Sequence, residues 1–187
     1  MSKPRQIEQA LGTILGQYQQ SFTAKIYLEE NDVPDLLMGV FGITPEIKRE
    51  NRQYWGRELG MCWQRLITEL CRQCCKGFAP ARRFGKDEPF DLTVENQAID
   101  TKYRIGSGDS GTLKKFKAYA SLLKSNGYEP VLLIVREDNL PAAITACRSG
   151  GWAVLTGDET FRFLKELTGF DLKRYLQTKV LEYKVQR

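Results

Sequence analysis

The period of the apolar positions changes midway along the chain. In the first half it is helical: Ile7, Leu11, Ile14, Leu15 and Tyr18 follow Pro4 on one side of a helix. Asp32 and Pro34 mark the start of a short helix. Thr44 and Pro45 then open a long helical stretch to Cys75, closed by Lys76 and Gly77. Its apolar stripe is Trp55, Leu59, Trp63, Leu66, Leu70 and Cys74, and Gly56 and Gly60 are its weak points.

In the second half strands and helices alternate. Residues 89–94 and 97–103 read as two strands joined by a tight turn at Glu95 and Asn96. Residues 112–125 form a lysine-rich helix, and 130–135 are a continuous apolar run, as in a strand covered on both faces. A helix over 139–147, a strand over 152–156 and helices over 158–167 and 171–183 complete the pattern. The expected fold is α/β: a mixed sheet of roughly four strands flanked by helices, with an extra helical N-terminal region. Without repeats or linkers, one domain is expected: an N-terminal helical region over 1–57, an α/β core over 58–157 and C-terminal helices over 158–187.

Composition narrows the chemistry. The chain has no histidine, which excludes Ser-His-Asp and Cys-His nucleophilic pairs and imidazole-ligated zinc. Any catalysis must rest on carboxylates, lysines, backbone groups or a hard metal ion. Four of the five cysteines, Cys62, Cys71, Cys74 and Cys75, fall in one predicted helix, a poor disulfide framework, so free thiols are expected there and at Cys147. The net charge of +5 suits a polyanionic partner. No apolar run reaches bilayer length and the basic N-terminus lacks a signal-peptide core, so a cytoplasmic location is expected.

The hairpin carries the chemistry. With Val94 and Gln97 flanking the turn, Asp91 falls beside Asp100 across the ladder. Asp100 and Lys102 are two residues apart and project from one face. Two carboxylates and an ammonium are thus expected on one patch of sheet. The carboxylates would repel unless a cation neutralised them, and Mg²⁺ suits oxygen ligands. Lys102 could orient or deprotonate an attacking water, or stabilise developing charge.

Pro89-x-Asp91, eight residues, then Asp100-x-Lys102 resembles the PD-(D/E)xK nuclease superfamily, type II restriction endonucleases in particular. The resemblance covers roughly residues 58–156 and departs from the short form of the motif only in Phe90, which separates Pro89 from Asp91. It implies a restriction-endonuclease-like core in which Asp91, Asp100 and the Thr101 carbonyl ligate Mg²⁺ and Lys102 serves the water. Many members add a helix glutamate; Glu58 and Glu69 lie on the flank of the stripe, Glu69 nearer the core in sequence. The implied activity is sequence-specific cleavage of double-stranded DNA by a homodimer, one site per strand, with a companion DNA methyltransferase. A Holliday-junction resolvase or repair nuclease on the same fold is the nearest alternative.

Gly106-x-Gly108-x-x-Gly111 offers a different class, a nucleotide- or S-adenosylmethionine-binding enzyme. The strand before it carries Asp100, Lys102 and Arg104, too charged for a buried Rossmann strand, and Asp109 would repel phosphate. The glycines read better as a turn against a DNA backbone. There Ser107, Ser110 and Thr112 supply hydroxyls and Lys114, Lys115 and Lys117 supply cations. Arg104 extends the Asp100 and Lys102 face, and Arg82, Arg83 and Lys86 form a second basic cluster. A non-catalytic nucleic-acid-binding domain would keep the same basic face.

Overall fold

The structure, a computed structural model, describes residues 31–106 and 110–184. The N-terminal stripe from Ile7 to Tyr18 and Ser107 lie outside the described residues, as do the side chains of Ser110 and Thr112.

The chain before the sheet folds as α1 (Leu36–Phe41), α2 (Pro45–Glu50) and α3 (Arg52–Cys74). Asp35 and Thr44 cap α1 and α2 through their side-chain oxygens, and Pro45 stands at the first turn of α2, where its missing N–H costs nothing. The long helix expected from Thr44 onward is broken at Asn51, not at the glycines. Asn51 leaves helical geometry (φ −153°, ψ 78°) and caps α3 by accepting from the Tyr54 N–H. The side-chain cap replaces the backbone bond a continuous helix would have made. Helix α3 runs unbroken through Gly56 and Gly60, and at Gly60 it comes close to Tyr103.

The sheet has five strands, one more than expected, in chain order: β1 (Phe78–Pro80), β2 (Leu92–Val94), β3 (Gln97–Lys102), β4 (Glu129–Ile134) and β5 (Ala153–Thr156). The unexpected strand, β1, is three residues long and ends in a proline, so it carries no period in sequence. Pairing is antiparallel from β1 to β3 and parallel from β3 to β5. Helix α4 (Ser110–Ser125) crosses from β3 to β4 and α5 (Pro141–Gly150) from β4 to β5. Helices α6 (Asp158–Thr168) and α7 (Leu172–Thr178) follow.

Alternation along β3 and β4 splits the core in two. Ile99, Val131 and Leu133 face Leu59, Trp63, Ile67 and Cys71 of α3 and Phe161 of α6. Ala98, Leu132 and Ile134 face Phe116, Ala120 and Leu123 of α4 and Ala143 and Cys147 of α5. After the exposed Glu129, β4 is apolar from Pro130 to Ile134 because helices cover it on both sides. All five cysteines are free: Cys71 and Cys147 are buried, Cys62 and Cys75 half-buried, and Cys74 exposed. Among the described residues no helix is long and apolar enough to cross a membrane.

Candidate active site at the end of the hairpin

The turn places the site. Glu95 takes a left-handed conformation (φ 54°), and Val94 pairs with Gln97 and Leu92 with Ile99, the register read from the sequence. The Asp91 N–H donates to the Ile99 carbonyl at 2.9 Å, and there the ladder stops. Pro89 has no N–H to continue it, and Phe90 turns into the α4 and α5 core, packed against the rings of Phe84 and Tyr128. The residue that separates proline from aspartate is therefore an anchor for the bend.

Where β2 leaves, the next N–H and C=O on that edge of β3, those of Thr101, lose their strand partner. Side chains replace it. Asp91 Oδ2 accepts from the Thr101 N–H at 2.8 Å and from Thr101 Oγ1 at 2.6 Å. Lys102 Nζ donates to the Thr101 carbonyl at 3.1 Å and to Asp100 at 2.7 Å. The Lys102 ammonium thus bridges a carboxylate and a carbonyl, two oxygens of the expected metal-ligand set.

Asp100 is a costly group. Its side chain is 11% exposed, and burial pushes its carboxyl up to about 6, with Lys102 opposing and Asp91 adding to the rise. Partial burial works against the Lys102 ammonium, but the Asp100 charge and hydrogen bond outweigh it and hold Lys102 above its ordinary value. Behind the pair, burial and the Asp100 charge raise the Cys147 thiol to about 11, so it stays a thiol at neutral pH.

Asp100 and Lys102 open on a cleft of about 250 Å³, closed by Glu88, Pro89 and, from α4, Lys115, Phe116 and Tyr119. Asp91 does not line this cleft. It borders a wider groove against α3, and Gln64 Nε2 donates to its Oδ1 at 2.7 Å. The expected single patch is therefore realised only for Asp100 and Lys102. Asp91 joins them through Thr101, because the bend at Phe90 takes it off the regular alternation of β2.

The helix glutamates line the same groove but reach neither aspartate. Glu69 is held by Arg72 at 2.6 Å and Gln73 at 2.8 Å, which brings its carboxyl down to about 2. Glu58 bonds Arg57 at 3.0 Å. The buried stripe of α3 is Leu59, Trp63, Ile67 and Cys71; it shares Leu59 and Trp63 with the expected stripe but continues through Ile67 and Cys71 in place of Leu66, Leu70 and Cys74, and this phase turns Gln64 toward Asp91. Spacing four residues apart from Leu59 was the available signal for it.

The expected phosphate contacts divide. Arg104 points inward: its Nε donates to the Asp138 carbonyl at 2.9 Å and lies 3.2 Å from the Asp138 carboxylate, with its side chain 12% exposed. It braces the ends of β3 and β4 and does not extend the Asp100 face toward solvent. Arg82 stacks over Phe84, Arg83 stands exposed 3.8 Å from Glu88, and Lys114 and Lys117 are exposed on α4. Lys115 alone of the α4 lysines lines the cleft.

Compared with protein-family models, curated proteins and solved structures, the chain shows no significant match. Among the described residues no three Asp, Glu, Cys or His side chains form a group able to hold a metal ion. The oxygens gathered around Thr101 are nevertheless all hard donors: two carboxylates and a carbonyl, with one cation, Lys102, already bridging two of them. That set fits Mg²⁺, which commonly takes one or two carboxylates and keeps waters.

Proposed function

We propose that the protein is a Mg²⁺-dependent DNA endonuclease on a restriction-endonuclease-like fold, of the PD-(D/E)xK type and in particular a type II restriction enzyme. The observation that carries this reading is the Lys102 ammonium, shared between the Asp100 carboxylate and the Thr101 carbonyl where β2 leaves β3. A mixed five-stranded sheet with that aspartate-lysine pair on its third strand is consistent with it.

Asp100 and the Thr101 carbonyl would hold the ion, with Asp91 next to them on the Thr101 amide. Bound Mg²⁺ supplies charge for the scissile phosphate and a water of lowered pKa. Asp100 is suited to the task because an incoming cation offsets the cost of its burial. Lys102, held protonated by Asp100, acts as a charge stabiliser and orienting group in preference to a base. Asp91 fixes the Thr101 amide and hydroxyl, and so the direction of the neighbouring carbonyl.

The test is incubation of the purified protein with plasmid DNA and Mg²⁺. Discrete fragments are expected, and they should be lost in Asp100→Ala. Cleavage of four-way junctions but not of plasmid would place the protein among resolvases on the same fold. Intact DNA of every kind would overturn the reading. A homodimer, one site per DNA strand, is the assembly this activity needs, and a companion methyltransferase would protect the host's own sites.

A further inference from the structure

The cleft over Asp100 and Lys102 has a second cation, more exposed than the first but braced in its turn. Lys115 Nζ lies 3.5 Å from Asp87 Oδ1 and 5.2 Å from the centre of the Tyr119 ring. The Tyr119 hydroxyl donates to the same Asp87 oxygen at 2.7 Å. Tyr119 and Lys115 are four residues apart on α4, so both stand on one face of the helix, the face that closes the cleft. Asp87 lies in the turn just before the catalytic bend, tied by paired Phe84 and Asp87 backbone bonds. An exposed surface lysine ordinarily has no such brace. Two different side chains, from two elements, fix this one beside the aspartate-lysine pair.

Donor arithmetic assigns the roles. The Tyr119 hydroxyl has one proton and spends it on Asp87. The Lys115 ammonium has three, and the Tyr119 hydroxyl oxygen and Asp87 take at most two, so a donor remains for a ligand in the cleft. The ligand is an anion with oxygens, since the facing groups are the ammonium groups of Lys115 and Lys102. Glu88 and Asp100 balance those two charges and Asp87, behind Lys115, adds a further negative one, so the cleft acquires the surplus to hold an anion only when a divalent cation enters with it.

We propose that Lys115 binds a phosphodiester of the substrate across the cleft from Asp100, and that Asp87 and Tyr119 are positioning residues for it. This rests on the nuclease reading above and adds to it a discrete phosphate seat that depends on the divalent ion.

The experiment measures duplex DNA affinity by fluorescence anisotropy in EDTA and in Ca²⁺, and KM and kcat in Mg²⁺. Lys115→Ala should weaken binding in Ca²⁺ about tenfold, leave binding in EDTA within about twofold, and lower the salt slope by about one contact. KM should rise with kcat little changed. Asp87→Asn and Tyr119→Phe should show the same pattern at about threefold, and Lys115→Arg should recover most of the affinity. Lys165→Ala, on the far helix α6 and paired to Asp171, should match wild type. If the wild type cleaves DNA but Lys115→Ala behaves like Lys165→Ala, the phosphate seat is wrong and the nuclease reading stands. If Lys115→Ala loses affinity equally in EDTA and Ca²⁺, the coupling to the ion is wrong and the proposal fails. A wild type that neither binds nor cleaves DNA overturns both.

Discussion

Two ionic clusters sit at the ends of the central strands, and they are built to opposite specifications. At the end of β4, Arg136 is 3% exposed and spends its guanidinium on Asp138, Asp35, Asn31 and the Val33 carbonyl. Asp138 accepts in turn from Arg104 and from the Asn31 N–H, and Asp35 from Tyr103, which also takes Lys48 at 2.6 Å. Charge and hydrogen bonds are matched there, and Asp138 sits below its ordinary pKa despite burial, with Arg136 as the main opposing partner. On the neighbouring strand β3, in register with Leu132, Asp100 has essentially one cation, its pKa is raised, and a cleft opens beside it. The first cluster fastens residues 31–38 to the sheet. The second holds unspent electrostatic capacity next to space for a ligand, and that difference, not the mere presence of buried charge, separates structure from chemistry.

The largest effect that would sharpen this contrast is catalytic. Asp100→Ala and Lys102→Ala should each reduce plasmid cleavage by about 10²–10⁴ while the protein stays folded, read from gel rates and circular dichroism together. Wild-type rates in either variant would remove the contrast.

Arg136→Met should do the reverse and act on stability. It leaves Asp138 and Asp35 buried without their guanidinium, at a cost of about 3–5 kcal/mol in urea unfolding. A loss below 1 kcal/mol would mean that the saturated cluster is not a fastening.

Third is a pH dependence. The folded pKa of Asp100, about 6, lies above its ordinary 3.8, so its contribution to stability is complete below pH 4 and is lost as pH rises through 6. In metal-free buffer the stability of wild type relative to Asp100→Asn should therefore fall by up to about 3 kcal/mol between pH 4 and pH 7. A difference independent of pH would show that Asp100 is solvated after all.

The smallest effect belongs to Gln64. Gln64→Ala removes one hydrogen bond from Asp91 and should cost about 1 kcal/mol of stability and slow cleavage a few-fold. Glu69→Ala, whose carboxylate serves only exposed partners, should change neither.

Local rules made the hairpin legible. A turn, a two-residue period and a proline place Asp91, Asp100 and Lys102 within one span of twelve residues, and the register followed. Arg104 was misjudged because strand period assigns a face but cannot see Asp138, which arrives from the loop after β4, thirty-four residues later. Gln64 was missed because a helical stripe rich in Leu and Trp admits two phases, and it is packing on the sheet, with Gly60 against Tyr103 just past β3, that selects one. β1 escaped because three residues carry too little pattern, and the break at Asn51 because a side-chain cap resembles ordinary helix interior in a polar stretch.

The order of the strands in the sheet is also their order along the chain. Each new strand joins an edge formed by the one before it, so the sheet can be laid down from the N-terminal side as the polypeptide leaves the ribosome. The hairpin that bears Asp91 and Asp100 needs nothing made later to find its register. What arrives later is the cover: α4, β4 and α5, the elements around Asp100. A nascent chain would thus hold its acidic groups solvated until the rest of the domain closes over them.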